Sequence, residues 1–141
     1  MLKIVLGFIE RRTLSIEPRV EETVRDTLKF ELSRKGYTVL PLDGKINYPS
    51  AEDMSKILSS NTAELFVEGM IVENTTSDAF DTKSVSLLSI SIYNVSGELI
   101  SQIRETSDDD IAKIRIMNTM ISGLVDDLDK NLTRISKRGI K

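Results

Sequence analysis

A chain of 141 residues fits one domain, with enough length to bury one sizeable core. Its formal net charge of -3 provides no basic field of the kind that draws nucleic acid. With neither histidine nor cysteine, thiolate nucleophiles, disulfides, zinc sites built on imidazole or sulfur, and Ser-His-Asp relays are all excluded. The lack of cysteine is compatible with the periplasm, because a domain with an adequate core needs no disulfide there.

The opening "MLKIVLGFIERR" holds an apolar run from Ile4 to Ile9, rich in branched and aromatic residues, the pattern of a strand buried on both faces. Its basic residues follow the apolar run, the reverse of a signal peptide. No stretch approaches the roughly 20 apolar residues of a membrane helix, so any signal or lipid anchor is expected outside this chain. Pro18 suits the first turn of a helix, and Glu21 and Glu22 favour its positive end. Val20, Val24, Leu28 and Leu32 recur every fourth residue as one apolar stripe. Gly36 ends that helix at a left-handed cap, and "YTVLPL" follows as a short strand before the turn residues Asp43 and Gly44. Strand, helix and strand in this order imply a right-handed crossover between parallel strands. Ser50 and Asp53 then stand in capping-box spacing ahead of a short helix carrying Met54, Ile57 and Leu58.

From Ala63 the period changes. "AELFVEGMIVEN" has strand composition, with Gly69 marking a bulge or a close backbone approach. In "SVSLLSISIYNVSGELISQI", Leu88, Ile90 and Ile92 fall on one face of a strand. Ser89, Ser91 and Tyr93 fall on the other, the less buried face. Asn94, Ser96 and Gly97 supply turn chemistry, after which "ELISQIRET" returns antiparallel. The last segment keeps helical spacing through Ile114, Met117, Ile121, Leu124, Leu128 and Ile135. Asp108 to Asp110 stand at its expected start, with Lys137 and Arg138 at its end. The fold class is therefore α/β (α+β): one domain over 1–141, a single mixed sheet of about five strands packed with three helices, in the order β-α-β-α-β-β-β-α.

Few constellations carry chemistry. The Asp108-Asp109-Asp110 run reads as a helix cap; a calcium loop needs ligands spread around a glycine turn. Glu10, Glu64, Glu68 and Glu73 read as solvated strand carboxylates, with Glu64 and Glu68 on one side, and no second carboxylate is placed for glycoside chemistry. Phosphate-binding glycine loops and an S-x-x-K motif are absent. Arg11-Arg12 and the tail "TRISKRGIK" lack aromatic neighbours, so base stacking is unsupported and they read as solvated. Among the aromatic residues, Phe66 reads as core, whereas Tyr48 and Phe80 are free to serve an interface. Phe80, in the polar loop "ENTTSDAFDTKS", is the better anchor.

Four pieces in order, "IVLGFIER", "LKFELSRKGYTVLPL", "AELFVEGMIVEN" and "LSISIYNVSGELISQI", resemble a family of bacterial envelope domains. That family includes the amino-terminal domain of TolB, the periplasmic core of CsgG and the penicillin-binding-protein activator LpoB. The "NVSGELI" turn is similar to that group's Asp-x-x-Thr-Gly-Glu segment. The likeness covers nearly the whole chain, without the long membrane hairpins of the CsgG-like pore formers and without TolB's propeller repeats.

The resemblance implies a periplasmic or outer-membrane-tethered adaptor that docks onto another envelope protein, without catalysis, cofactor or metal. Contact is expected at a sheet edge or at the loop around Phe80, with Asp78, Asp81, Ser89, Ser91 and Tyr93 as partner-binding residues. No nucleic acid is expected, and the membrane is reached only through a tether outside this chain. The alternatives are a homo-oligomeric envelope scaffold and a small-ligand binder using the cleft between the long helix and the sheet.

Overall fold

The computed structural model describes residues 3–12, 18–41, 50–77 and 82–137. Its elements are β1 (Lys3–Arg11), α1 (Pro18–Arg34), β2 (Thr38–Pro41), α2 (Ala51–Asn61), β3 (Leu65–Ser77), β4 (Thr82–Tyr93), β5 (Leu99–Ser107) and α3 (Ile114–Lys137). They form one five-stranded sheet in the order β2-β1-β3-β4-β5. β1 pairs parallel with β2 and β3, and the β3–β4–β5 meander is antiparallel.

α1 and α3 cover one face. The every-fourth-residue stripe Val20, Val24, Leu28 and Leu32 is buried with Ile4, Leu6, Ile9, Val67, Leu88, Ile90 and Ile92, and α3 adds Met117, Ile121, Leu124 and Leu128. Each such side chain contributes about 1.5–3 kcal/mol by leaving water, so this face dominates stability. Two polar links tie the helices together. The Tyr37 hydroxyl donates to Asp129 Oδ1 at 2.6 Å, and Lys35 Nζ meets Asp126 Oδ1 at 2.9 Å.

α1 ends as its glycine implies. Gly36 has φ 102°, the Tyr37 amide donates to the Leu32 carbonyl at 3.2 Å, and the Gly36 amide donates to the Ser33 carbonyl at 3.0 Å. This is the paired bonding of a Schellman cap. α2 begins with Ser50 accepting from the Asp53 amide and ends on the same pair of bonds, with Thr62 in the left-handed position at φ 53°.

The β1–β3 register slips between Leu6 and Ile9, because three steps along β1 match two along β3 (Leu6↔Val67, Ile9↔Gly69). One extra residue enters β1 as a bulge at Gly7 and Phe8. Leu6 and Ile9 thereby both reach the helix-covered core, and Gly7 and Phe8 share the other side.

Two expectations are corrected. Asp108 to Asp110 do not open α3, which starts at Ile114; Ile114 itself is 71% exposed and is not part of the apolar stripe. The Ser86 hydroxyl donates to the Asp109 carbonyl at 2.9 Å and accepts from the Ile111 amide at 3.0 Å. That grip turns the chain and drives Ile111 into the core before the helix begins. Asp110 Oδ1 accepts from the Ala112 amide, and Asp109 Oδ1 holds Lys113 Nζ at 2.8 Å. The aspartates cap this preceding turn instead.

The loop after β3 is also shorter than its polarity suggests. Thr75, Thr76 and Ser77 pair with Ser84, Lys83 and Thr82, because backbone pairing continues through threonines, which favour strands. Among the described residues, no helix is long and apolar enough to cross a membrane.

Candidate functional site

The second face of the sheet is divided. α2 covers one end, where Val5 and Phe66 meet Met54, Leu58 and Ala63. Beyond α2, four strands line a concavity of about 300 Å3. β1 and its end supply Phe8, Glu10 and Arg12; β3 supplies Glu68, Gly69 and Met70; β4 supplies Ser89, Ser91 and Tyr93; β5 supplies Gln102.

The bulge is what aims β1 at this hollow. Strict alternation from Ile4 and Leu6 would send Phe8 and Glu10 into the helix-covered core. The inserted residue turns Phe8, Glu10 and Arg12 to the second face, while Arg11 on the first pairs with Glu21 of α1 at 3.2 Å. β3 and β4 stay in register throughout, with Glu68 opposite Ser91 and Phe66 opposite Tyr93. Gly69 fits because a Cβ there would lie 2.8 Å from the Ser89 carbonyl oxygen.

The Tyr93 hydroxyl donates to Glu68 Oε1 at 3.0 Å, and its ring stands edge-on to Phe66 with centroids 6.5 Å apart. Burial pushes the Glu68 carboxyl above its ordinary value; the Glu10 charge adds to this, and the Tyr93 hydrogen bond opposes it. Burial likewise raises the Tyr93 hydroxyl, followed by the Glu68 charge. Glu10 has Arg12 as its counter-charge at 3.0 Å. Gln102 Nε2 lies 3.5 Å from Ser91 Oγ. This arrangement offers hydrogen-bond acceptors, a carboxylate and aromatic walls.

Of the residues expected to bind a partner, Ser89, Ser91 and Tyr93 come together in this hollow. Ser89 is only 2% exposed, so the less buried face is closed at that point by its neighbours. Phe80, Asp78 and Asp81 lie outside the described residues, as does Tyr48. Glu64 precedes β3 and accepts from the Lys3 amide at 2.6 Å, so it does not pair with Glu68. Phe8, Met70 and Gln102 carry no signal in their spacing, and Glu10, Arg12 and Glu68 read there only as solvated charges, because only the bulge and the strand order place them together. Among the described residues, no group of three or more metal-binding side chains converges.

The cleft between the long helix and the sheet is a separate hollow of about 320 Å3, lined by Glu105, Arg115, Thr119 and Met120 among others. Burial pushes the Glu105 carboxyl up, and its bond with Asp127 adds to that. The sheet's two edges differ. β2 has four residues and ends in Pro41, whereas β5 has nine and contains no proline. Leu99 at its start and Val95 in the preceding turn are 54% and 51% exposed.

No protein-family model matches the sequence, and no curated protein is similar to it. Solved structures do match. A variant PelC dodecamer from Paraburkholderia phytofirmans is 14% identical, with 87% of this chain and 84% of that one covered and a TM-score of 0.64. The LpoB C-terminal domain from Salmonella enterica is 12% identical, with 77% and 83% covered and a TM-score of 0.57. TolB from Acinetobacter baumannii is 20% identical, with 94% of this chain but 28% of that one covered and a TM-score of 0.51. At these identities the likeness is one of fold, and the fold is one this chain shares with bacterial envelope proteins that include LpoB and TolB, the group its sequence resembles.

Proposed function

We propose that this chain is a non-enzymatic interaction domain of the bacterial cell envelope, an accessory protein that takes an extended segment of another envelope protein along β5. The observation that carries this reading is the asymmetry of the sheet edges. Natural edges are blunted by shortness, proline, charge or bulges; β2 is both short and ends in proline, whereas β5 runs for nine residues without proline, with its charges confined to Arg104 and Glu105 and its one register irregularity to the Leu99–Ser101 end. Among the described residues no strand pairs with its outer side, so its backbone groups are open to strand addition. The fold shared with LpoB and TolB supports an envelope setting, periplasmic or tethered to the outer membrane through a segment outside this sequence. The absence of histidine and cysteine supports a role without catalysis.

The test is a photoreactive residue at Arg104 on β5, compared with one at Glu22 on α1, in the native cells; both positions are exposed. The reading expects one identified envelope protein joined through position 104 and not through 22. Equal yields from both positions, or none from either, would refute it. A second reading is self-association, favoured by the dodecameric assembly of the similar PelC. Crosslinks between copies through position 104, with a sedimentation coefficient that rises with concentration, would put that reading first.

A further inference from the structure

From the charge balance and shape of the concavity on the second face, we infer that it is a receptor for the ammonium group of a single lysine side chain, presented by the docked partner. This rests on the interaction-domain reading and names the chemistry that the partner brings.

Glu10 is matched by Arg12 at 3.0 Å. Glu68 is not matched: it accepts from the Tyr93 hydroxyl at 3.0 Å, and among the described residues no lysine or arginine lies within ion-pair distance of it. A half-buried carboxylate facing a second carboxylate is destabilised until a cation joins it. The volume, about 300 Å3, stands at the lower end of small-molecule sites and suits one side chain. Phe8, Met70 and the Tyr93 ring supply apolar and π surface for a hydrocarbon stem and its charged head. Beside Glu68 itself, the Ser91 hydroxyl and the Gln102 carboxamide supply acceptors for an ammonium's three donors.

The same geometry selects lysine over arginine. A guanidinium binds best when both carboxylate oxygens accept its parallel N–H pair. Tyr93 already occupies one acceptor site on Glu68 Oε1, so Oε2 is the less encumbered oxygen, an arrangement that favours a compact point charge over a bidentate fork.

The experiment titrates the full chain with Nα-acetyl-lysine N-methylamide, using the norleucine and arginine analogues as comparisons. The readouts are the Met70 methyl, the Gln102 side-chain amide and the backbone amides of Ser89 and Ser91 by NMR. The lysine analogue is expected to shift these groups, with the arginine analogue weaker and the norleucine analogue weaker by at least about tenfold. Glu68→Gln keeps an acceptor for Tyr93 and is expected to weaken the lysine analogue by about tenfold to a hundredfold, the range that loss of a charge-assisted hydrogen bond sets. No shift, equal binding of the norleucine analogue, or unchanged binding to Glu68→Gln would overturn the assignment. The crosslink through position 104 is read separately. A retained crosslink without an analogue response overturns the lysine receptor alone, and an analogue response without a crosslink removes the β5 docking while the receptor stands.

Discussion

Ser86 and Ser89 lie three residues apart on β4, 0% and 2% exposed, and alanine at the two positions is expected to have very different effects. They face opposite sides of the sheet. The Ser86 hydroxyl donates to the Asp109 carbonyl at 2.9 Å and accepts from the buried Ile111 amide at 3.0 Å. Ser86→Ala leaves that amide without an acceptor and the carbonyl without a donor, at about 1–3 kcal/mol for each buried group. The carbonyl is only part-buried, so its share falls at the low end, and the total is about 3 kcal/mol. For a domain of this size that lowers Tm by on the order of 10 °C. Ser89 makes no hydrogen bond to a described residue, and Ser89→Ala is expected to stay within about 0.5 kcal/mol of the parent. Urea unfolding measures both, and hydrogen exchange at Ile111 locates the Ser86 effect. Stabilities of the two variants within 1 kcal/mol of each other, or unchanged Ile111 exchange in Ser86→Ala, would refute the grip.

Gly69→Ala places a Cβ 2.8 Å from the Ser89 backbone oxygen; because backbone cannot rotate away, a loss of about 2 kcal/mol is expected by urea unfolding. Thr62 occupies a left-handed position at φ 53°, which costs a side-chain-bearing residue about 1–2 kcal/mol, so Thr62→Gly is expected to raise Tm despite the greater freedom of its unfolded chain. Burial and the Glu10 charge hold the folded-state value of Glu68 above its unfolded one, so its contribution to stability is present at low pH and lost as pH rises through the raised value. Glu68→Gln is therefore expected to be more stable than the parent at neutral pH, by less than about 1 kcal/mol after solvent screening, with the gain disappearing near pH 3. Denaturation curves across that range check it.

Elements with one dominant periodic signal were legible from sequence: the α1 stripe, the Ser50 cap, the Gly36 stop and the Leu88–Ile92 alternation all depend on residues within a turn or two. What was not legible depends on long-range contacts. The start of α3 is set by Ser86, over twenty residues away, which competes for the amide that the Asp108–Asp110 run was expected to cap. The site is hidden for a different reason. Ile4 to Ile9 reads correctly as a doubly buried strand, but nothing in that run reveals that one inserted residue changes the facing of Phe8, Glu10 and Arg12. Glu68, Ser91 and Tyr93 were visible as strand residues. Their meeting with Glu10 requires β3 to lie between β1 and β4, a fact of topology.

The bulge also links the site to the core through Gly7, and this gives a prediction at a residue that the concavity does not include. A Cβ on Gly7 would lie 2.6 Å from Phe66 Cζ and 2.9 Å from Cε1. That ring is 1% exposed and packed among Val5, Met54, Leu58 and Ala63, so the core under α2 gives it little room to withdraw. Its other neighbour is Tyr93, edge-on at 6.5 Å, which faces the concavity and is only partly buried, and the push is therefore expected to pass to the Tyr93 ring. Tyr93 holds Glu68 through a single bond of 3.0 Å. Gly7→Ala is accordingly expected to cost about 1–3 kcal/mol of stability from overpacking and, in addition, to lengthen the Tyr93–Glu68 bond. Loss of that bond removes the one influence that lowers the Glu68 carboxyl, so its NMR titration midpoint should move further up. A variant destabilised by this amount with the Glu68 midpoint unmoved would show that the core under α2 absorbs the ring and that the site is insulated from the bulge.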